Sequence, residues 1–207
     1  MFSINNATAL NRAANKNNIE IVDLLLSNPE IEIGIEFKKC KKLTKISIPS
    51  HVLKIHENAF AYCERLEVIS IPPSVTSIGN EAFEFCSSLT EISIPPFVTT
   101  IGECTFRDCI SLKKVTMHNV IKIRDQAFYN CVSLCEISFP CMLISIGYEA
   151  FYKCSSLTDV FIPPSVTYVG KDAFSSCKGL KQISIPASVN AYDIGIRSNV
   201  KVIEIED

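Results

Sequence analysis

The chain has 207 residues, a mass of 23.0 kDa and a formal net charge of −2. Hydrophobic residues make up 47% and charged residues 20% of it, which excludes a disordered chain and predicts a continuous core. The near-neutral charge argues against a protein that binds nucleic acid through its phosphates. No apolar run reaches the roughly 18 residues of a membrane helix, so membrane insertion is not expected.

Residues 1–30 are predicted to form a helical hairpin, with Thr8 as a possible cap of the first helix. The segment 8–27 resembles one ankyrin helix pair, whose usual sequence is Thr-Pro-Leu-His-x-Ala-Ala followed by Glu-Ile-Val-x-Leu-Leu-Leu. Ala9 and Asn11 stand where that family has Pro and His. One ankyrin unit does not support itself, so we interpret the hairpin as a cap on the structure that follows. The alternative is a remnant of a longer ankyrin array.

From residue 31 onward one unit recurs, and it reads Ala-Phe-x-x-Cys-x-x-Leu-x-x-Ile-x-Ile-Pro-x-x-Val-x-x-Ile-Gly. Its seven phenylalanines are spaced by 23, 23, 23, 22, 23 and 23 residues: Phe37, Phe60, Phe83, Phe106, Phe128, Phe151 and Phe174. Ile-x-Ile predicts a strand, and Val-x-x-Ile before Gly predicts a second extended segment and a turn. Ala-Phe-x-x-Cys predicts a helical turn or two. Such units bury their apolar residues by stacking.

This unit resembles the BspA-like class of leucine-rich repeats, the Treponema pallidum type. The resemblance covers residues 31 to about 205. It implies a β-rich repeat solenoid over residues 31–207, a right-handed stack of about seven 23-residue coils with a parallel sheet and short helical turns. The α-helical hairpin caps this solenoid at its N-terminal end. The class includes surface antigens of anaerobic bacteria, which implies adhesion as one function.

The last coil, 187–207, is predicted to be abbreviated. Ile203-x-Ile205 repeats Ile183-x-Ile185 after 20 residues, and the Ala-Phe-x-x-Cys block is missing. Charged side chains on an open edge strand discourage edge-to-edge association. The acidic residues expected on that edge are Glu204, Glu206 and Asp207.

The sequence has ten cysteines, of which seven belong to the repeat and are predicted to be buried free thiols. Cys104, Cys135 and Cys141 lie outside this pattern, and their redox state stays open. Neither these residues nor the repeat shows the paired spacing of zinc ligands, so no metal site is expected.

The three histidines are predicted to lie in loops or turns of different coils: His51, His56 and His118. No catalytic triad, nucleophile pair or phosphate-binding glycine loop can be built from the sequence. We therefore expect neither an enzyme nor a cofactor.

The exposed strand face is the candidate binding surface. In each copy the middle residue of Ile-x-Ile points away from the core, and all but one are small hydroxyl residues: Ser47, Ser70, Ser93, Thr116, Ser138, Phe161 and Ser184. Phe161, with Ile144 and Tyr168 of the second extended segment, supplies candidate apolar anchors. Small hydroxyl residues also suit a flat parallel sheet that binds nothing, so this alternative stays open.

Two functions fit these features. The first is a protein-interaction module in the cytoplasm, expected because the N-terminus lacks the pattern of a secretory signal peptide. The second, implied by the family resemblance alone, is a surface antigen that binds host or matrix proteins. Both require a protein partner and no turnover. The sequence gives neither the identity of the partner nor the oligomeric state.

Overall fold

The computed structural model describes the backbone of residues 3–205 and the side chains of residues 8–205. The predicted edge charges Glu206 and Asp207 lie outside this range. Helices α1 (Ser3–Asn15) and α2 (Ile19–Leu26) come first, and a short 3₁₀ helix (Ile35–Phe37) begins the solenoid.

We number coils 1–7 by their phenylalanines, Phe37 to Phe174, and coils 1–6 each contribute two strands, of which the first is longer in all but coil 5. The first strands form the first row: β1 (Lys45–Ser47), β3 (Val68–Ser70), β5 (Glu91–Ser93), β7 (Lys114–Thr116), β9 (Glu136–Ile137), β11 (Asp159–Phe161), β13 (Gln182–Pro186) and the final β14 (Lys201–Ile205). The second strands form the second row: β2 (Lys54–Ile55), β4 (Ser77–Ile78), β6 (Thr100–Ile101), β8 (Lys122–Ile123), β10 (Ser145–Ile146) and β12 (Tyr168–Val169).

Strands of successive coils pair in parallel, which confirms the predicted solenoid with a spacing of about 23 residues. Ser47 lies opposite Ser70 in the first row, and Ile55 lies opposite Ile78 in the second. The first row consists of three hydrogen-bonded pieces, β1–β3, β5–β7–β9 and β11–β13–β14. The second row consists of two, β2–β4 and β6–β8–β10–β12. Both rows are therefore interrupted between coils 2 and 3.

The Ala-Phe-x-x-Cys blocks form a third layer, which we call the turn layer. A regular helix forms there only in coil 1, and the later blocks are successive turns. Each later block has two left-handed residues four apart, such as Asn58 with φ 60° and Tyr62 with φ 63°. Left-handed residues end helical hydrogen bonding and turn their N–H groups toward the next coil. The N–H of Tyr62 donates to Glu84 O at 2.7 Å, and that of Asn58 donates to Asn80 O at 3.0 Å.

The core is a set of ladders that run along the stack. All seven repeat phenylalanines are fully or almost fully buried, and their rings stack on one another at centroid distances of 5.0 to 5.4 Å. Cys, Leu, Val and Ile of the unit complete this core. One coil alone could not bury these side chains, so each coil depends on its neighbours.

The helical hairpin packs on coil 1. Val22 and Leu26 of α2 and Leu10 of α1 are buried in the same cluster as the core of the solenoid. Asn17 Oδ1 accepts hydrogen bonds from the N–H of Thr44 at 3.0 Å and from its hydroxyl at 3.2 Å. The expected capping position of Thr8 is wrong, because α1 begins at Ser3 and Thr8 lies inside the helix.

The predicted equivalence of Ile203 with Ile183 is also wrong. In the structure Ile183 lies opposite Val202, and Ser184 lies opposite Ile203. A register shift of one residue moves a side chain to the other face of a sheet. Ile203 therefore joins the outer face beside Ser184, where the sequence placed a core residue.

Candidate protein-interaction surface

The predicted hydroxyl residues lie on the outer face of the first row, and we call them the hydroxyl column. Strand pairing aligns Ser47 with Ser70, Ser93 with Thr116, and Phe161 with Ser184, while Ser138 directly follows β9. All are exposed except Thr116 and Ser184, which are half-buried. Phe161 is the single large side chain among these predicted residues and is 57% exposed.

A second column of outward side chains runs beside the first, and the sequence analysis missed it. It consists of the first residue of each strand in the row and carries mostly charges: Lys45, Val68, Glu91, Lys114, Glu136, Asp159, Gln182 and Lys201. Lys114 Nζ and Glu136 Oε2 lie 3.0 Å apart, and this hydrogen bond raises the pKa of Lys114. The two-residue alternation of each strand, read in both directions from the core isoleucine, would have found this column.

A groove of about 300 Å³ crosses this face where the first row is interrupted between coils 2 and 3. Glu67, Val68 and Glu91 line it, and Val68 is 60% exposed. Ile69 and Ile71 of coil 2 are only partly buried, unlike the corresponding Ile92 and Ile94 of coil 3. Lys114 also lines it, so the groove combines apolar surface with two carboxylates and one ammonium group.

The other two predicted anchors lie on the second row. Tyr168 is opposite Ser145 and is 58% exposed, whereas the carbonyl of Ile144 accepts a hydrogen bond from Thr167 N–H at 2.9 Å. Ile144 and Tyr168 therefore occupy neighbouring columns on adjacent coils. Phe161 belongs to the first row, so the three anchors do not form one line.

Arg107 is the centre of a polar cluster on the turn layer, which the sequence analysis also missed. Its Nη1 donates to Gln126 Oε1 at 2.8 Å, and its guanidinium lies 5.0 Å from the ring centroid of Tyr129. Asp108 and Glu84 lie within 4.0 Å of Nε. Burial is the main cause that raises the pKa of Glu84. Glu84, Arg107 and Tyr129 each directly follow a repeat phenylalanine, so the period of the sequence could have placed these three in one column.

The repeat cysteines pack in the core and also donate hydrogen bonds. Cys63 Sγ lies 3.0 Å from Phe37 O of the preceding coil, and the later repeat cysteines make the same contact at 3.1 to 3.2 Å. All ten cysteines are free thiols. Burial raises the pKa of the Cys40 and Cys177 thiols to about 12. Because the thiolate is the reactive form, these sulfurs are poor nucleophiles.

The histidines are arranged differently from the prediction of three separate coils. His51 and His56 both belong to coil 1 and line one cleft, while His118 is exposed in coil 4. Among the described residues, no group of three or more His, Cys, Asp or Glu side chains could hold a metal ion. None of the helices within residues 3–205 combines the length and apolar character needed to cross a bilayer.

The comparison with known families decides the repeat class. The BspA type leucine rich repeat region matches in six copies, over residues 31–143 and 117–205. The chain belongs to the BspA-type leucine-rich repeat family. No curated protein sequence shows significant similarity to it.

Several solved structures share the BspA-type fold of this chain. A leucine-rich cell surface protein from Faecalibacterium prausnitzii A2-165 is 25% identical over 81% of this chain and 61% of its own length, with a TM-score of 0.53. The leucine-rich repeat protein of T. pallidum is 26% identical over 79% and 71%, with a TM-score of 0.59. A leucine-rich repeat protein from Bacteroides ovatus is 29% identical over 84% and 55%, with a TM-score of 0.51. This chain therefore spans less than two thirds of the first and third of these proteins.

Proposed function

We propose that this BspA-type solenoid is a non-catalytic protein-interaction module that binds a partner through the outer face of the first row. The observation that carries the proposal is the composition of that face. Small hydroxyl side chains leave its backbone accessible, while a charged column and the exposed Val68 and Phe161 supply contacts. Exposed apolar residues surrounded by polar ones are typical of protein-binding sites.

Site-specific photo-crosslinking tests which face is used. A benzophenone amino acid at position 93 or 161 should give adducts with a partner protein in living cells of the source organism, because both positions face outward from the first row. The same amino acid at Lys178, an exposed turn-layer position, is the matched control. Adducts at position 178 but not at 93 or 161 would contradict the proposal.

The identified partner then provides a quantitative test of the anchors. Phe161→Ala should weaken binding by about 1–2 kcal/mol, since a large apolar side chain is removed from the contact. Tyr168→Ala and Ile144→Ala test the second row in the same assay. Unchanged affinity in all three variants would remove these residues from the binding surface.

A second candidate function is adhesion at the cell surface. Its support is the similarity to the F. prausnitzii protein, which is described as a leucine-rich cell surface protein. Cys135 and Cys141 are exposed thiols, so a membrane-impermeant maleimide reports the compartment directly. Labelling on intact cells, with a cytosolic thiol protein spared, would favour adhesion. Labelling only after lysis would contradict adhesion and favour a module that acts inside the cell.

A further inference from the structure

A cleft of about 290 Å³ opens where residues before coil 1 meet the second row. Eight residues line it, among them Ile31, Glu32, His51, Leu53, Lys54 and His56. The segment before coil 1 pairs with the second row through one bridge only, Ile33 with Ile55. It does not cover the start of β2, and the cleft is the space that a complete preceding coil would fill.

Within the described part of the chain, His51 lacks the side-chain hydrogen bond to the preceding coil that its position makes in three of the six later coils. At the equivalent position of later coils, Ser74 Oγ donates to Val52 O at 3.0 Å and Ser165 Oγ donates to Leu143 O at 2.7 Å. Asn119 does the same to Pro96 O at 2.8 Å. His51 Nε2 is shielded from solvent and has no partner among the described residues. Most buried polar atoms have a hydrogen-bond partner, so this nitrogen is free to bind a water molecule, an ion or a ligand group.

The main-chain N–H of Leu53, two residues after His51, also differs from its equivalents in coils 2 and 6. The N–H of Thr76 donates to Leu53 O at 2.8 Å, and the N–H of Thr167 donates to Ile144 O at 2.9 Å. The corresponding N–H of Leu53 makes no hydrogen bond within the described part of the protein. The cleft is therefore lined by two residues that each carry a polar group without a partner among the described residues, His51 and Leu53.

We propose that this cleft binds a carboxylate of a protein ligand, either the terminal carboxylate of a polypeptide or an acidic side chain. Its two oxygens can accept from the Leu53 N–H and from His51 Nε2, after the imidazole turns about its soft χ2 torsion. Lys54 adds a positive charge at the rim, and Ile31 and Leu53 contact the apolar part of the ligand. Glu32, which lies 3.2 Å from His56 Nε2, is the opposing charge.

Titration of ¹⁵N-labelled protein with short peptides tests the site. The probes are acetyl-Ala-Leu with a free terminal carboxylate, the same peptide as its amide, and acetyl-Ala-Asp-Ala-amide. The free acid should shift the Leu53 amide resonance saturably, with a Kd on the order of 1 mM for so small a ligand. The amide should bind about tenfold more weakly, because it lacks the charge that these donors favour. Binding of the Asp peptide decides between side-chain and terminal carboxylates.

Variants with opposite expected effects complete the test. Lys54→Ala should weaken and Glu32→Gln should tighten binding of the free acid, each by about two- to fivefold, as expected for exposed charges. His51→Phe should weaken it about tenfold, with His118→Phe as the matched control. Equal binding of acid and amide, equal shifts with inorganic phosphate, or no response to Lys54→Ala and Glu32→Gln would each overturn the proposal.

Discussion

The thiol of each repeat cysteine from coil 2 onward supplies a hydrogen bond between coils at no cost in packing volume. Cys177 Sγ lies 3.1 Å from Phe151 O, and its side chain is 2% exposed. Phe151 O already accepts from Cys154 N–H at 3.1 Å, and in a dry core a weak sulfur donor to the second lone pair of the carbonyl is still favourable. The repeat position thus suits Cys better than a purely apolar residue of similar size.

Alkaline pH should therefore destabilise the solenoid through these thiols. The pKa of Cys177 rises from 9.0 to about 12 on folding, with burial as the main cause. Between these values the unfolded thiol loses its proton while the folded thiol keeps it, so stability falls as pH rises and is unaffected below this window. Each such thiol contributes about 1.4 kcal/mol per pH unit. Cys177→Ala should therefore reduce the slope of the free energy of unfolding against pH by that amount.

Urea unfolding at about pH 8 and about pH 10 measures this slope. Cys135→Ala is the control, because that side chain is exposed. A slope identical to that of the parent protein in Cys177→Ala would show that the buried thiol does not couple folding to pH.

Glycine at the end of the repeat is required by close approach between coils. A Cβ built on Gly79 would lie 2.4 Å from Glu57 N and 2.7 Å from Glu57 Cα, both main-chain atoms of the preceding coil. Gly79→Ala should therefore cost roughly 1–3 kcal/mol in the free energy of unfolding, as expected for overpacking. Gly34→Ala is the matched control, since its nearest contact is the flexible carboxylate of Glu36. Equal losses in the two variants would contradict this explanation.

The helical hairpin buries one side of α2 and leaves the other side in solvent. Leu26 is 1% exposed and packs in the solenoid core, whereas Leu24, two residues earlier, is 72% exposed. If the hairpin is a cap, as we propose, its buried side should stabilise the whole stack. Leu26→Ala should then cost about 2–5 kcal/mol, while Leu24→Ala should stay within about 0.5 kcal/mol.

Chemical denaturation of both variants measures these losses, with tyrosine fluorescence and circular dichroism as independent probes. A small loss in Leu26→Ala would mean that the hairpin only lies against coil 1 without stabilising it. A large loss in Leu24→Ala would show that its exposed side is covered in solution.

At the level of elements, the repeat predicted both strands of each coil and the ladders of the core. Those features depend on contacts between identical positions, and a period in the sequence reports them directly. The conformation of the turn layer was less accessible, because the N–H of Tyr62 finds its acceptor in Glu84 of the next coil, not in its own turn. The same holds for β14, where side-chain identity favoured a pairing of Ile203 with Ile183 that the strand does not adopt.

The candidate surface likewise combines features that the repeat predicts with features that depend on how the coils are arranged. The hydroxyl column follows from the period alone, since every member has the same place in the unit. The separation of Phe161 from Tyr168 depends on how the two rows are arranged, and the sequence does not contain that arrangement explicitly. The cleft at His51 exists because the segment before coil 1 lacks the contacts of a complete coil. This difference is recognised only by comparison with Ser74 and Ser165, which bond to a complete preceding coil.

Across the whole molecule, the junction between coils 2 and 3 differs from the others because both strand rows are interrupted there. The turn layer continues across it: Phe60 N–H donates to Ala82 O at 2.8 Å, and Cys86 Sγ lies 3.2 Å from Phe60 O. The stability of a solenoid is approximately the sum of its coils and their nearest-neighbour interfaces. This interface, with fewer main-chain hydrogen bonds, should therefore open first.

Native-state hydrogen exchange tests this expectation at single amides. The N–H groups of Ile71 and Thr90 lack main-chain acceptors within the described residues, whereas at the next junction Ile94 N–H donates to Thr116 O at 2.8 Å and Lys113 N–H donates to Thr90 O at 2.7 Å. We expect the first pair to exchange at least about tenfold faster than the second, as for amides that open locally. Because both pairs occupy equivalent repeat positions, differences in intrinsic chemistry are small. Equal protection would mean that coils 2 and 3 are joined as tightly as coils 3 and 4. Faster exchange would identify the groove at Val68 as the place where a bound partner could stabilise the solenoid most.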